Sequence, residues 1–63
     1  MKELPVRDER LLTVEETART LSISVRTLRR RIEAGDMPVI RDGRMVRVQP
    51  QDLRRYIATR RSI

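Results

Sequence analysis

Apolar residues recur along this chain with two different periods, and the change of period divides it into helical and extended parts. Leu11 and Leu12 precede Thr13-Val14-Glu15-Glu16, where a threonine N-cap is followed three residues later by glutamate. This is the capping-box pattern, which satisfies two orphan backbone donors and predicts a helix beginning near Val14. Val14, Ala18 and Leu21 then recur at helical spacing, while Glu15, Glu16 and Arg19 point outward. Ala18 is small enough to let a second helix cross close by. Ser22-Ile23-Ser24 interrupts the stripe, with Ile23 placed to plug the corner. Ser24 caps a new helix whose apolar positions are Leu28 and Ile32. That helix should stop at Ala34, because Gly35 suits the left-handed position after a helix and Pro38 cannot continue one. Two short helices joined by a tight turn make a helix-turn-helix.

Beyond Pro38 the residues favour extended structure. Val39-Ile40-Arg41, Asp42-Gly43 and Arg44-Met45-Val46-Arg47-Val48 read as a hairpin turning on Asp-Gly. Strict alternation would put Arg44, Val46 and Val48 on one face and Met45 with Arg47 on the other, a pattern that calls for a bulge or strong twist. Gln49-Pro50-Gln51-Asp52 opens a last helix, with Pro50 at its first position, Asp52 near its positive end, and Leu53, Tyr56 and Ile57 as its buried stripe. The expected fold is mainly α with a small β-hairpin: helix, helix, two-stranded wing, helix, or a winged helix-turn-helix. It should occupy residues 11–58, between a flexible arm over 1–10 and a basic, frayed tail over 59–63.

Composition narrows the chemistry. Sixty-three residues make one domain with a small core. There is no cysteine and no histidine, so disulfides, thiolate sites and the usual zinc ligands are excluded, and no metal or cofactor is expected. No apolar stretch approaches the roughly 18 residues of a membrane span, and the Met1 to Leu12 start lacks the apolar centre of a secretory signal. A cytoplasmic, unprocessed chain is expected. The net charge of +6 is unevenly spread: −1 over residues 1–21, +4 over 22–49 and +3 over 50–63. A cationic last two thirds suits a polyanion, whose condensed counterions are released on binding. The plainer reading is a solvated arginine surface.

The motifs Leu11-Leu12-Thr13-Val14-Glu15-Glu16, Leu21-Ser22-Ile23-Ser24-Val25-Arg26-Thr27-Leu28, Gly35-Asp36-Met37-Pro38 and Arg47-Val48 leading to Asp52-Leu53 together resemble the excisionase-type, MerR-like DNA-binding domain. The resemblance covers about residues 11 to 58. It implies that the second helix enters the major groove of double-stranded DNA and the wing reaches the adjacent minor groove. Free-standing proteins of this kind include phage excisionases, or recombination directionality factors, which bend attachment-site DNA so that an integrase excises. The implied setting is the cytoplasm of a bacterial host. Two positions depart from the pattern: Ser22 stands where glycine is frequent, and Arg31 where an aromatic or aliphatic residue is common.

With the second helix in the groove, Val25, Arg26, Arg29 and Arg30 face base edges, because Leu28 and Ile32 face inward. Arginine bonds bidentately to guanine and valine touches a thymine methyl, although phosphate contact alone would also account for the arginines. Ser24 and Thr27 can donate to phosphates at the helix start. In the wing, Arg41 and Arg44 flank the turn at Gly43, and Arg47 follows on the return strand; the duller role for these charges is to protect an edge strand. Arg54, Arg55, Arg60 and Arg61 are expected to be mostly exposed. A single module of this size buries roughly 600 to 1,000 Å² on DNA, so cooperative head-to-tail binding by several copies on attachment-site repeats is expected.

Catalysis has little support. Asp8 with Glu9, and Glu15 with Glu16, lie at a chain end and a helix start, and no nucleophile has a histidine partner. A small transcriptional regulator is the closest rival, since both it and an excisionase need only groove contacts. An RNA-binding role is disfavoured by the scarcity of aromatic side chains, and a membrane-surface role by Gly35, Pro38, Gly43 and Pro50, which break any long helix.

Overall fold

The computed structural model describes residues 10–62. Its order is β1 (Leu12–Thr13), α1 (Val14–Leu21), α2 (Val25–Glu33), β2 (Ile40–Asp42), β3 (Met45–Val48) and α3 (Pro50–Thr59). This is a mainly helical domain with a small antiparallel sheet, consistent with a winged helix-turn-helix. The arm expected over residues 1–10 lies outside the described residues except for Arg10, which is exposed. No described helix is long and apolar enough to cross a membrane.

Local chemistry sets the helix ends. Thr13 and Glu16 form the full capping box: the Glu16 backbone N–H donates to Thr13 Oγ1 at 3.0 Å and the Thr13 backbone N–H to Glu16 Oε1 at 2.9 Å. The Thr13 backbone bond holds the Glu16 carboxyl below its ordinary range, aided by the Thr13 hydroxyl and by the charges of Arg19 and Arg10. The anchor is therefore present at neutral pH and is lost as pH falls through the lowered Glu16 value.

Both helices of the turn end alike. After α1, Ile23 N–H donates to the Ala18 carbonyl and Ser22 N–H to that of Arg19; after α2, Asp36 N–H donates to Arg31 and Gly35 N–H to Ile32. Each pair is a Schellman motif around a left-handed residue. Gly35 takes that conformation, at φ +83°, without a side-chain penalty, whereas Ser22 takes it at φ +58° and is the one non-glycine residue with positive φ among those described. Ser22→Gly is expected to relieve roughly 1 kcal/mol of strain, partly offset by the freedom of glycine in the unfolded chain. A net gain of about 0.5 kcal/mol should raise the thermal midpoint by a few degrees. A lower midpoint would mean that the Ser22 side chain stabilises the turn.

The sheet differs from the expected two-stranded wing. Its order is β1-β3-β2, with Leu12 opposite Val48 and Thr13 opposite Arg47. Thr13 thus serves both the ladder and the cap. The hairpin loop is Gly43-Arg44, one residue later than expected, because Asp42 pairs with Met45 inside the ladder. Only the first loop residue, Gly43 at φ +63°, needs a positive φ, the signature of a type II′ turn, so Asp42 can remain extended. The ladder runs Ile40 to Arg47, Arg41 to Val46 and Asp42 to Met45 without a bulge. None is required: Val46 and Val48 turn inward and Met45 is exposed, as plain alternation dictates.

Val14, Ala18, Leu28, Met37, Val48, Leu53 and Tyr56 form the core, with Leu12, Leu21, Ile23, Val25, Ile32, Val39 and Val46 packed on it. Thr17 is also buried, its hydroxyl satisfied by the Thr13 carbonyl at 2.9 Å. Met37, 1% exposed, lies just after the Gly35 reversal, where no periodicity marks it as core. Ile57 was expected in the buried stripe of the last helix but is 40% exposed. That helix buries a narrow ridge of Leu53 and Tyr56, three residues apart, and Ile57 lies one position past it. That helix runs through Thr59, and Arg60 lies over the Tyr56 ring.

Candidate nucleic-acid interface

The start of α2 is built by two hydroxyls. Ser24 Oγ accepts the Thr27 backbone N–H at 3.1 Å and donates to Thr27 Oγ1 at 3.0 Å. The Ser24 hydroxyl is therefore occupied at the cap, whereas Thr27 Oγ1 only accepts there and keeps its own O–H free to donate to an anion. The first turn of α2 contains no acidic residue, so no side chain of that turn neutralises the positive end of the helix dipole.

With Leu28 fully buried, the opposite face of α2 carries Arg26, Arg29 and Arg30, all exposed. Arg26 and Arg30 are four residues apart and so lie one above the other. Val25 differs from the expectation of a groove-facing residue. It is half-buried and packs on the core, so less of its surface is free than that of the arginines.

The wing lies beside this face. A cleft of about 60 Å³ is lined by Arg29, Ile32 and Glu33 of α2, Val14 of α1, and Arg41 and Val46 of the hairpin. It brings Arg29 from the helix and Arg41 from the wing to one place. Its volume is far below that of an ordinary small-molecule site, roughly 300 to 1,000 Å³. Arg44 occupies the loop itself, so it sits at the wing tip and does not flank the turn, while Arg41 stands two residues back on the strand. Gly43 supplies the reversal that creates the tip; a Cβ there would meet no neighbour within 4 Å, so its positive φ is what calls for glycine. Arg47 is half-buried, and its Nη1 donates to the Val46 carbonyl at 2.9 Å, which ties it back along its own strand.

Among the described residues, no ion pair engages Arg26, Arg29, Arg30, Arg41 or Arg44. The acids that are paired lie elsewhere: Asp52 with Arg55 at 3.9 Å, and Asp36 with Arg60 at 3.5 Å. The exposed charge of the helix and wing is thus not taken up by ion pairs among the described residues.

Arg31 behaves differently from its neighbours. It is half-buried and its Nη1 donates to Tyr56 Oη at 2.6 Å, fastening α2 to α3. The signal was its spacing, since a residue three after Leu28 lies on the inward flank of the helix.

The family described as helix-turn-helix domain matches residues 11–61 of the chain. No curated protein and no solved structure gives a significant match. The matched segment spans the capped pair of helices, the wing and α3, and on this basis the chain belongs to the helix-turn-helix domain family of DNA-binding domains.

Proposed function

We propose that the protein is a sequence-specific binder of double-stranded DNA that acts as an excisionase, a recombination directionality factor. The observation that carries DNA binding is the set of exposed arginines on α2 and the wing that have no ion pair among the described residues, two of which, Arg29 and Arg41, line one cleft. In this reading α2 lies in the major groove, with Arg26 and Arg30 toward base edges and Ser24 and Thr27 ordering the helix start beside a phosphate. Arg29, Arg41 and Arg47 follow the backbone, and Arg44 at the Gly43 turn reaches the minor groove. Chemistry is left to a partner integrase. The protein acts by occupying and bending attachment-site DNA, with several copies on adjacent repeats making up for the small footprint of one module.

The directionality role rests on the resemblance of the Thr13-to-Glu16, Leu21-to-Leu28 and Gly35-to-Pro38 motifs to excisionase-type domains. A gel-shift titration on the DNA flanking the source gene, with and without integrase, tests it. Stepwise cooperative complexes, and a further complex when integrase is added, are expected. A single non-cooperative complex indifferent to integrase, on DNA that contains a promoter, would identify a transcriptional regulator instead.

A further inference from the structure

Four residues outside the DNA-facing set, Arg31, Tyr56, Arg60 and Asp36, form a circuit between α2 and α3 through side-chain contacts and one backbone bond. Arg31 Nη1 donates to Tyr56 Oη at 2.6 Å. The Arg60 guanidinium lies 4.2 Å from the centroid of the Tyr56 ring. Arg60 Nη2 stands 3.5 Å from Asp36 Oδ2, and the Asp36 backbone N–H donates to the Arg31 carbonyl at 2.9 Å, returning the circuit to its start. Tyr56 is 5% exposed as a whole residue, and its part-buried hydroxyl is answered by a charged donor.

The placement of this circuit matters more than its strength. A single residue, Gln49, separates β3 of the wing from Pro50 at the start of α3. The far end of α3 carries Tyr56 and Arg60, and these hold the last turn of α2 and the Gly35 reversal. The recognition helix and the wing both line the cleft at Arg29 and Arg41, and they are linked through α3 by way of Tyr56. We propose that Arg31 and Tyr56 are positioning residues for DNA recognition: they set the angle of α2 against α3, and so the offset between the helix arginines and the wing arginines, without touching DNA.

This rests on α2 being the reading helix, and it separates two fates for adjacent arginines: Arg30 faces outward, while Arg31 is spent on orientation. Groove readout tolerates little misplacement, because bidentate contacts need both nitrogens in register, whereas attraction to phosphates is less demanding of geometry. Loss of the circuit should therefore lower specific binding more than non-specific binding.

The test uses the full chain, a duplex selected by the unaltered protein from a randomised library, and a scrambled duplex of equal composition. Tyr56→Phe removes one hydroxyl and no charge; it should lose about tenfold in affinity for the selected duplex, little for the scrambled one, and leave the salt slope unchanged. Arg31→Met should do the same with a small added loss on both duplexes, and Arg31→Lys, which keeps a single donor and the charge, should recover most of the specific affinity. Affinities are measured well below the melting temperature of every variant, so that the lysine and methionine pair remains decisive should Tyr56→Phe be poorly folded.

Absorbance titration of the sole tyrosine checks the bond in solution. Burial pushes the Tyr56 phenol up, but hydrogen bonds from Arg31 and Arg60 and their charges more than offset it, so it ionises below the usual tyrosine range, and Arg31→Met should move it upward. Unchanged specific affinity in Tyr56→Phe, or equal losses on both duplexes with a salt slope lower by about one phosphate, would overturn the proposal. Arg26→Ala is run alongside. If it loses specificity while the circuit variants do not, only the positioning role fails; if it too is unchanged, the reading of α2 fails and takes the positioning role with it.

Discussion

Replacing Leu28 by alanine is expected to leave the free chain close to unfolded while DNA restores it. Leu28 has no exposed surface and sits where α2 meets the core built by Val14, Ala18, Met37, Val48, Leu53 and Tyr56. Truncating a buried leucine costs about 2–5 kcal/mol, through lost transfer energy and the cavity left behind. A core in a chain below about 70 residues rarely supplies more than about 3–5 kcal/mol in total, so this one change is comparable with the whole. The thermal midpoint followed by circular dichroism should fall by roughly 15 °C or more. Because only the folded state presents the helix and wing to DNA, cognate duplex at about a hundred times its dissociation constant should return about 2.7 kcal/mol and much of the lost midpoint. A midpoint within a few degrees of the unaltered chain would show that Leu28 is not central to the core. A midpoint indifferent to DNA would count against binding by the folded domain.

The second large effect concerns Arg26 and Arg30. Each is exposed on α2, free of ion pairs among the described residues, and in line with the other one turn away. If either reads a guanine, its replacement by alanine should cost about 1–3 kcal/mol on the selected duplex and relax preference at one base position. Arg44→Ala should act differently. At the wing tip it should weaken binding evenly across sequences and reduce the salt slope by about 0.9, the value for one lost phosphate contact on B-form DNA. Binding isotherms at several salt concentrations, for the selected and a scrambled duplex, separate the two behaviours. Negligible losses at all three positions would remove α2 and the wing as the binding face.

Most of the helical framework was legible because it rests on chemistry within four residues. The Thr13 and Glu16 capping box, the Ser24 cap, Gly35 after α2 and Pro50 at the start of α3 all stand where the sequence pattern placed them. The hairpin was legible too, but its loop slipped by one residue, since Asp-Gly marks a turn without saying which two residues span it. β1 was not legible. Two residues have no period, and the partner of Leu12 is Val48, distant in sequence. Met37 is buried with no periodic signal to mark it, and Ile57 is exposed against expectation, for a related reason: burial at the end of a short element depends on what crosses it.

The candidate site divides the same way. Exposure of Arg26, Arg29 and Arg30 followed from the inward face of Leu28, and the cationic wing from a hairpin with arginines near its turn. Nothing in residue type distinguishes Arg30 from Arg31. The order of amino acids by itself determined where helices start and stop, which stripes are apolar and how charge is apportioned along the chain, because capping, periodicity and charge are local properties. Only the packed structure decided that Arg29 and Arg41 line one cleft, that Arg31 turns to Tyr56, and that a third strand completes the wing. Those outcomes depend on the angle at which separate elements cross, and that angle is set by the fit of core side chains far apart in the chain.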